Sequence, residues 1–148
     1  MVAITKSPKV NWLQPGKWKK ASYNTLWCLL GCSIGDLGTI AYFQFTGTHW
    51  PTLIIMCLAI VMGLLTSILL ETIVLSKQMT ISTALRTALG MSMISMVSME
   101  VAMNLMDVLL MGGAVLTWWV IPIMLAAGFI TPLPYNYWRL EVLGKACH

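Results

Sequence analysis

S-M-I-S-M-V-S-M-E-V-A-M-N-L-M-D, residues 92–107, lies inside a long apolar run and decides how the chain is read. Glu100, Asn104 and Asp107 are four and three apart, so on a helix they share one face. Met96, Met99, Met103 and Met106 repeat at three, four and three and form a second stripe. At about 100° per residue the acid/amide stripe spans roughly 60° and the methionine stripe about 80°, and the two adjoin. In a helix that crosses a membrane, the carboxyl groups of Glu100 and Asp107 sit where charge is costly, and they need partners.

Working outward, the rest of the chain is apolar enough to require a membrane. Of 148 residues, 58% are hydrophobic and 9% charged, with a mean hydropathy of +0.80. A soluble domain carries about 25% charged residues. Four runs, at about 23–45, 51–75, 85–111 and 118–134, approach or exceed the roughly 20 residues needed to cross ~30 Å of hydrocarbon. They are continuous rather than alternating, which favours helices over a barrel. The expected fold is all-α, a polytopic bundle of four transmembrane helices. Residues 1–22 form a basic interfacial lead, 23–140 the membrane domain and 141–148 a tail.

Charge orients the bundle. Lys6, Lys9, Lys17, Lys19 and Lys20 precede the first span, Lys77 and Arg86 lie between spans two and three, and Arg139 and Lys145 follow span four. These are all nine basic residues. The loops 44–50 and 112–117 have none. The positive-inside rule then places both termini in the cytoplasm, in a multi-pass protein of the cytoplasmic (inner) membrane. The net charge of +4 reflects this orientation, with some attraction to anionic headgroups, and is not a nucleic-acid footprint. The first span is too long for a cleavable signal and reads as a signal anchor.

Span one carries Cys28, Cys32 and Asp36 in steps of four along one face, with Gly31, Gly35 and Gly38 on its flank. Small residues at that spacing let a neighbouring helix approach closely, which would turn Asp36 inward. Cys28, Cys32, Cys57 and Cys147 lie in spans or in the expected cytoplasmic tail, so structural disulfides are not expected. In the lead, Pro8 and Pro15-Gly16 are breaks, and Trp12 and Trp18 among lysines suit either an interfacial segment or a solvated tail. His49 falls in the first outer loop and reads as polar surface. Glu71, near the end of span two, is expected to pair with Lys77 or Arg86. Thr80 or Ser82 would cap the third helix and Gly112-Gly113 would end it. Pro132 and Pro134 would end or kink the fourth helix, before an aromatic belt of Tyr135, Tyr137 and Trp138.

Asp36, Glu100 and Asp107 lie well inside spans with no lysine or arginine at that depth. With Asn104 they form the expected buried polar cluster, which needs protons, mutual hydrogen bonds or a cation. Twelve methionines and four cysteines are soft donors that suit Cu(I), with Cys28, Cys32, Met96, Met99 and Met103 as the candidate ligands. Methionine is equally a filler of helix interfaces. Glu71, Asn136 and the terminal pair Cys147-His148 are further candidates. No HExxH, CxxC or glycine-rich phosphate loop is present, and no internal repeat supports an inverted-repeat transporter.

At G-C-S-I-G-D (Gly31 to Asp36), S-M-E-V-A-M-N (Ser98 to Asn104) and P-Y-N-Y-W-R-L-E-V-L-G-K (Pro134 to Lys145) the chain resembles a prokaryotic membrane family, domain of unknown function 4396. The resemblance covers roughly Trp27 to the C-terminus and implies a four-helix membrane unit. The family's recurrent polar positions map onto Cys32, Asp36, Glu100, Asn104 and Asn136. Many members carry a histidine before the first cysteine and another in the tail. Trp27 and Cys147 stand at those places here, which puts a histidine-based metal site in doubt. The family brings no activity.

Three functions are compatible with these observations. The chain is a non-catalytic accessory or scaffold subunit of a larger membrane complex, requiring no cofactor. Alternatively, it handles copper, alone or beside a membrane copper oxidoreductase such as a monooxygenase. As a third reading, it is a small oligomeric proton or cation conductor. Its expected partners are membrane lipids and either other membrane subunits or further copies of itself.

Overall fold

A computed structural model describes residues 11–143, and these are helical with no strand among them. The helices are α1 (Pro15–Thr46), α2 (Thr52–Ser76), α3 (Ile81–Thr87), α4 (Met93–Met111), α5 (Val120–Ile130) and α6 (Leu133–Leu143). A single π-helical turn, Ala88–Ser92, joins α3 to α4. Four stretches are long and apolar enough to cross a membrane: α1, α2, α4, and α5 with α6.

The boundaries follow from local chemistry. Pro15 does not break the lead but starts α1, because proline's missing N–H costs nothing in a first turn. The lysines from Lys17 to Lys20 are therefore an extension of the first helix. Gly47 and Gly112 end α1 and α4 at φ 65° and 73°, the left-handed conformation that glycine adopts without strain. Pro132 interrupts the last apolar stretch, so α5 stops at Ile130 and α6 starts at Leu133. Thr80 precedes α3, and its hydroxyl bonds that of Thr83 at 2.9 Å rather than a backbone N–H.

The α1–α2 interface is the most extensive, and two glycines explain its closeness. A Cβ on Gly31 would lie 2.7 Å from Ser67 Cα, and one on Gly35 would lie 2.5 Å from the Met62 carbonyl carbon. With the backbones this near, Thr66 Oγ1 reaches the Gly31 carbonyl at 2.7 Å and Ser67 Oγ reaches that of Cys28 at 3.3 Å. Gly38 has open space beside it, so it takes no part in this contact, contrary to the reading of all three as one flank.

Both ends of the described chain meet at one end of the bundle, called here the basic end. Tyr137 of α6 is fully buried, stacked on Trp18 at 4.3 Å and Trp12 at 5.1 Å between ring centroids. Its hydroxyl donates to the Asn11 carbonyl, and Lys17 pairs with Glu141. The lead is thus packed from Asn11 onward, and Tyr137 is a core residue rather than part of an outward-facing aromatic belt. Tyr137→Ala is expected to cost roughly 3 kcal/mol, the usual loss for truncating a buried aromatic. Thermal unfolding in detergent and faster proteolysis ahead of Pro15 would register it.

Candidate functional site

The polar centre forms where α1 and α4 face each other. Asp36, Glu100, Asn104 and Asp107 are each at most 2% exposed. Asn104 Nδ2 donates to Asp36 Oδ1 at 2.9 Å and to the Glu100 carbonyl at 3.1 Å. The helices α1 and α4 therefore meet through an amide–carboxyl bond. Asp107, one turn further along α4, accepts the Val115 N–H at 3.1 Å and so ties down the loop that follows Gly112. It serves the end of the bundle opposite the basic one.

Glu100 reaches toward α2. A Cβ on Gly63 would run into Glu100 Oε1 and lie 3.0 Å from the Cys32 carbonyl, so the carboxyl occupies the notch this glycine leaves. The Cys32 thiol lies against the same carboxyl and against the Ser67 hydroxyl. Neither Glu100 oxygen receives an N–H or O–H among the described residues, nor do Asp36 Oδ2, Asn104 Oδ1 and Asp107 Oδ1. The site is thus rich in acceptors and short of donors, an arrangement that a proton, a water or another cation completes.

A second polar layer lies nearer the basic end. Ser92, in the π-helical turn, donates to Glu71 Oε1 at 2.7 Å, and both are buried. The extra residue in such a turn re-aims the side chains that follow it. Glu71 is thus an interior group, whereas Lys77 and Arg86, its expected partners, are exposed. Asn136 Nδ2 donates to Thr25 Oγ1 at 2.8 Å, joining α6 to α1. Arg139, one turn beyond Asn136, is 3% exposed. Thr25 is eleven residues from Asp36 along α1, so this buried cation stands at least ~16 Å of helix away from the polar centre. Between the layers, Cys28, Ser67 and Glu71 border a cavity of about 10 Å³, the room of one water.

The five candidate sulfur ligands also come together. Cys28, Cys32, Met96, Met99 and Met103 are all buried in one cluster with Leu29, Val120 and Met124. Gly128 of α5 makes room for Met103, whose Cγ would be 2.7 Å from a Cβ there. Met106 is only half-buried, packed against the edge of that cluster. No three His, Cys, Asp or Glu side chains are grouped as a metal would require, among the described residues. Cys147 and His148 lie outside those residues.

The family model for domain of unknown function DUF4396 matches residues 17–145. The chain belongs to that family. Comparison with curated proteins and with solved structures gives no match. In this DUF4396 chain the motifs around Asp36 and Glu100 are the two that meet in the bundle centre, and Asn136 supports α6 at the basic end. Residues that the sequence reading did not single out complete the arrangement: Gly63, Ser67, Ser92, Thr25 and Arg139. Gly63, Ser67 and Glu71 recur every four residues along α2, which was the available signal, hidden in a Leu- and Ile-rich run.

Proposed function

We propose that this chain is a multi-pass membrane protein with both termini in the cytoplasm, acting as a non-catalytic accessory subunit beside another membrane component. The supporting observation is a lipid-facing groove of about 680 Å³ between α4 and α5. Ser98, Ala102 and Ala127 contribute small side chains to it, while Val97, Val101 and Leu105 stand beside them. Ser98 and Ala102 are four apart, the small-xxx-small spacing at which a second transmembrane helix seats closely. The basic residues gathered at one end of the bundle support the cytoplasmic orientation.

Purification in mild detergent tests this reading. Stoichiometric co-purifying subunits are expected, and Ala102→Trp, which fills the groove, is expected to reduce their recovery about tenfold without changing the chain's thermal stability. Wild-type protein recovered alone, or Ala102→Trp protein with its partners retained, would contradict it.

A second reading is favoured by the Glu100 carboxyl, which receives no N–H or O–H among the described residues. In that reading the polar centre loads a proton from membrane-embedded water and passes it between Glu100 and Asp36. Glu100→Gln keeps the shape and removes the exchangeable acid, so proton uptake by liposomes holding the purified protein is expected to fall to the level of empty vesicles. Unchanged uptake in the folded variant would eliminate this role.

A further inference from the structure

A second groove, of about 540 Å³, opens at the basic end between α1 and α5. Lys19, Lys20 and Ser22 line its outer part, and Tyr23, Leu26 and Phe129 line the part nearer the bundle centre. Leu26 lies six and seven residues beyond the two lysines, ~10 Å along the helix. The groove therefore changes from cationic to apolar over the distance that separates a lipid headgroup from its chains. Tyr23, apolar in body and polar at its tip, stands at the change, as aromatic side chains do at membrane interfaces.

Among the described residues, no acidic side chain is left to neutralise these lysines. It has five acidic side chains. Asp36, Glu71, Glu100 and Asp107 are buried in the bundle, and Glu141 is paired with Lys17. Lys19 and Lys20 remain exposed beside a concave apolar wall. A zwitterionic lipid would fill that wall, but its own ammonium group would compensate its phosphate and leave the lysine charge unbalanced.

We propose that this groove binds one anionic phospholipid, its phosphate between Lys19 and Lys20 and an acyl chain along Leu26 and Phe129. The inference rests on the membrane orientation given above. A bound anionic lipid would fix the start of α1, and with it the Trp18–Tyr137–Trp12 stack, at the headgroup level.

The test is native mass spectrometry of the full chain with phosphatidylglycerol or phosphatidylcholine supplied at equal concentration. One retained phosphatidylglycerol per chain is expected, with about tenfold preference over phosphatidylcholine. Lys19→Gln/Lys20→Gln should abolish the preference. Leu26→Trp, which fills the apolar part and keeps both lysines, should lower retention of either lipid about tenfold. Thermal unfolding in phosphatidylcholine-free detergent checks that both variants fold. Equal retention of the two lipids by wild-type protein would overturn the proposal. So would undiminished retention by Leu26→Trp, or displacement of the lipid by millimolar glycerol phosphate, which would make the site one for a free phosphate. The orientation is read separately, by labelling Lys19→Cys with an impermeant thiol reagent. Reaction from the cytoplasmic side alone is expected, and reaction from the outer side alone would overturn the orientation without touching the lipid result.

Discussion

Gly35→Ala is expected to destabilise the bundle by about 3 kcal/mol, at the upper end of the usual cost of overpacking. The added methyl group would lie 2.5 Å from the Met62 carbonyl carbon and would meet the Thr66 hydroxyl as well. Backbone cannot rotate away as a side chain can, so α1 and α2 must separate. Separation would break the bond from Thr66 to the Gly31 carbonyl and loosen the contact between Cys32 and Glu100. Gly38→Ala, three residues on, meets nothing within 4 Å. It should stabilise the helix by up to about 1 kcal/mol, because alanine is the better helix former. Thermal unfolding of the two variants in one detergent would show shifts of opposite sign.

Asn104→Leu is the second large effect. It removes the amide N–H that Asp36 accepts and leaves a fully buried carboxyl without its donor. The expected loss is about 1–3 kcal/mol, the cost of stranding a buried polar group. Replacing Asp36 and Asn104 together by leucine should be less damaging than the sum of the two single changes, since the double variant strands neither group. A coupling of about 1 kcal/mol or more is expected from the four proteins of the cycle. Additive losses would mean that the two side chains do not act on each other. Glu100→Leu should cost less than Asn104→Leu, because no side-chain N–H or O–H is left without a partner when that carboxyl goes.

The sequence carried the helices and the polar face well, for a physical reason. Spacings of three and four translate directly into one helical face, so Glu100, Asn104 and Asp107 could be placed together on α4, and Cys28, Cys32 and Asp36 on α1. That these two faces would meet was inferred from the cost of exposing carboxyls to lipid, and the Asp36–Asn104 bond is where they do. Features that depend on a neighbour were not legible. Nothing in the spacing of Gly31, Gly35 and Gly38 tells that the first two press against the α2 backbone and the third has open space beside it. Tyr137 has the composition of a membrane-interface aromatic, and only the return of the lead segment over α6 buries it. The π-helical turn at Ala88–Ser92 shifts Ser92 onto Glu71, and a strict 3.6-residue reading has no place for it. Gly63 looked like one small residue among leucines, yet its missing side chain is the space that the Glu100 carboxyl fills.

The measurement closest to the central claim is cross-linking of Asp36→Cys with Asn104→Cys, in a chain whose native cysteines are replaced by serine or alanine. Asp36 and Asn104 side chains are within hydrogen-bond distance, so a short thiol-bridging reagent should join α1 to α4 within one molecule, in membranes as in detergent. Proteolysis between the two helices would then leave a single linked product. A folded double-cysteine protein that stays unlinked, while Asp36→Cys joins readily to a cysteine elsewhere in the bundle, would contradict the meeting of these two helices.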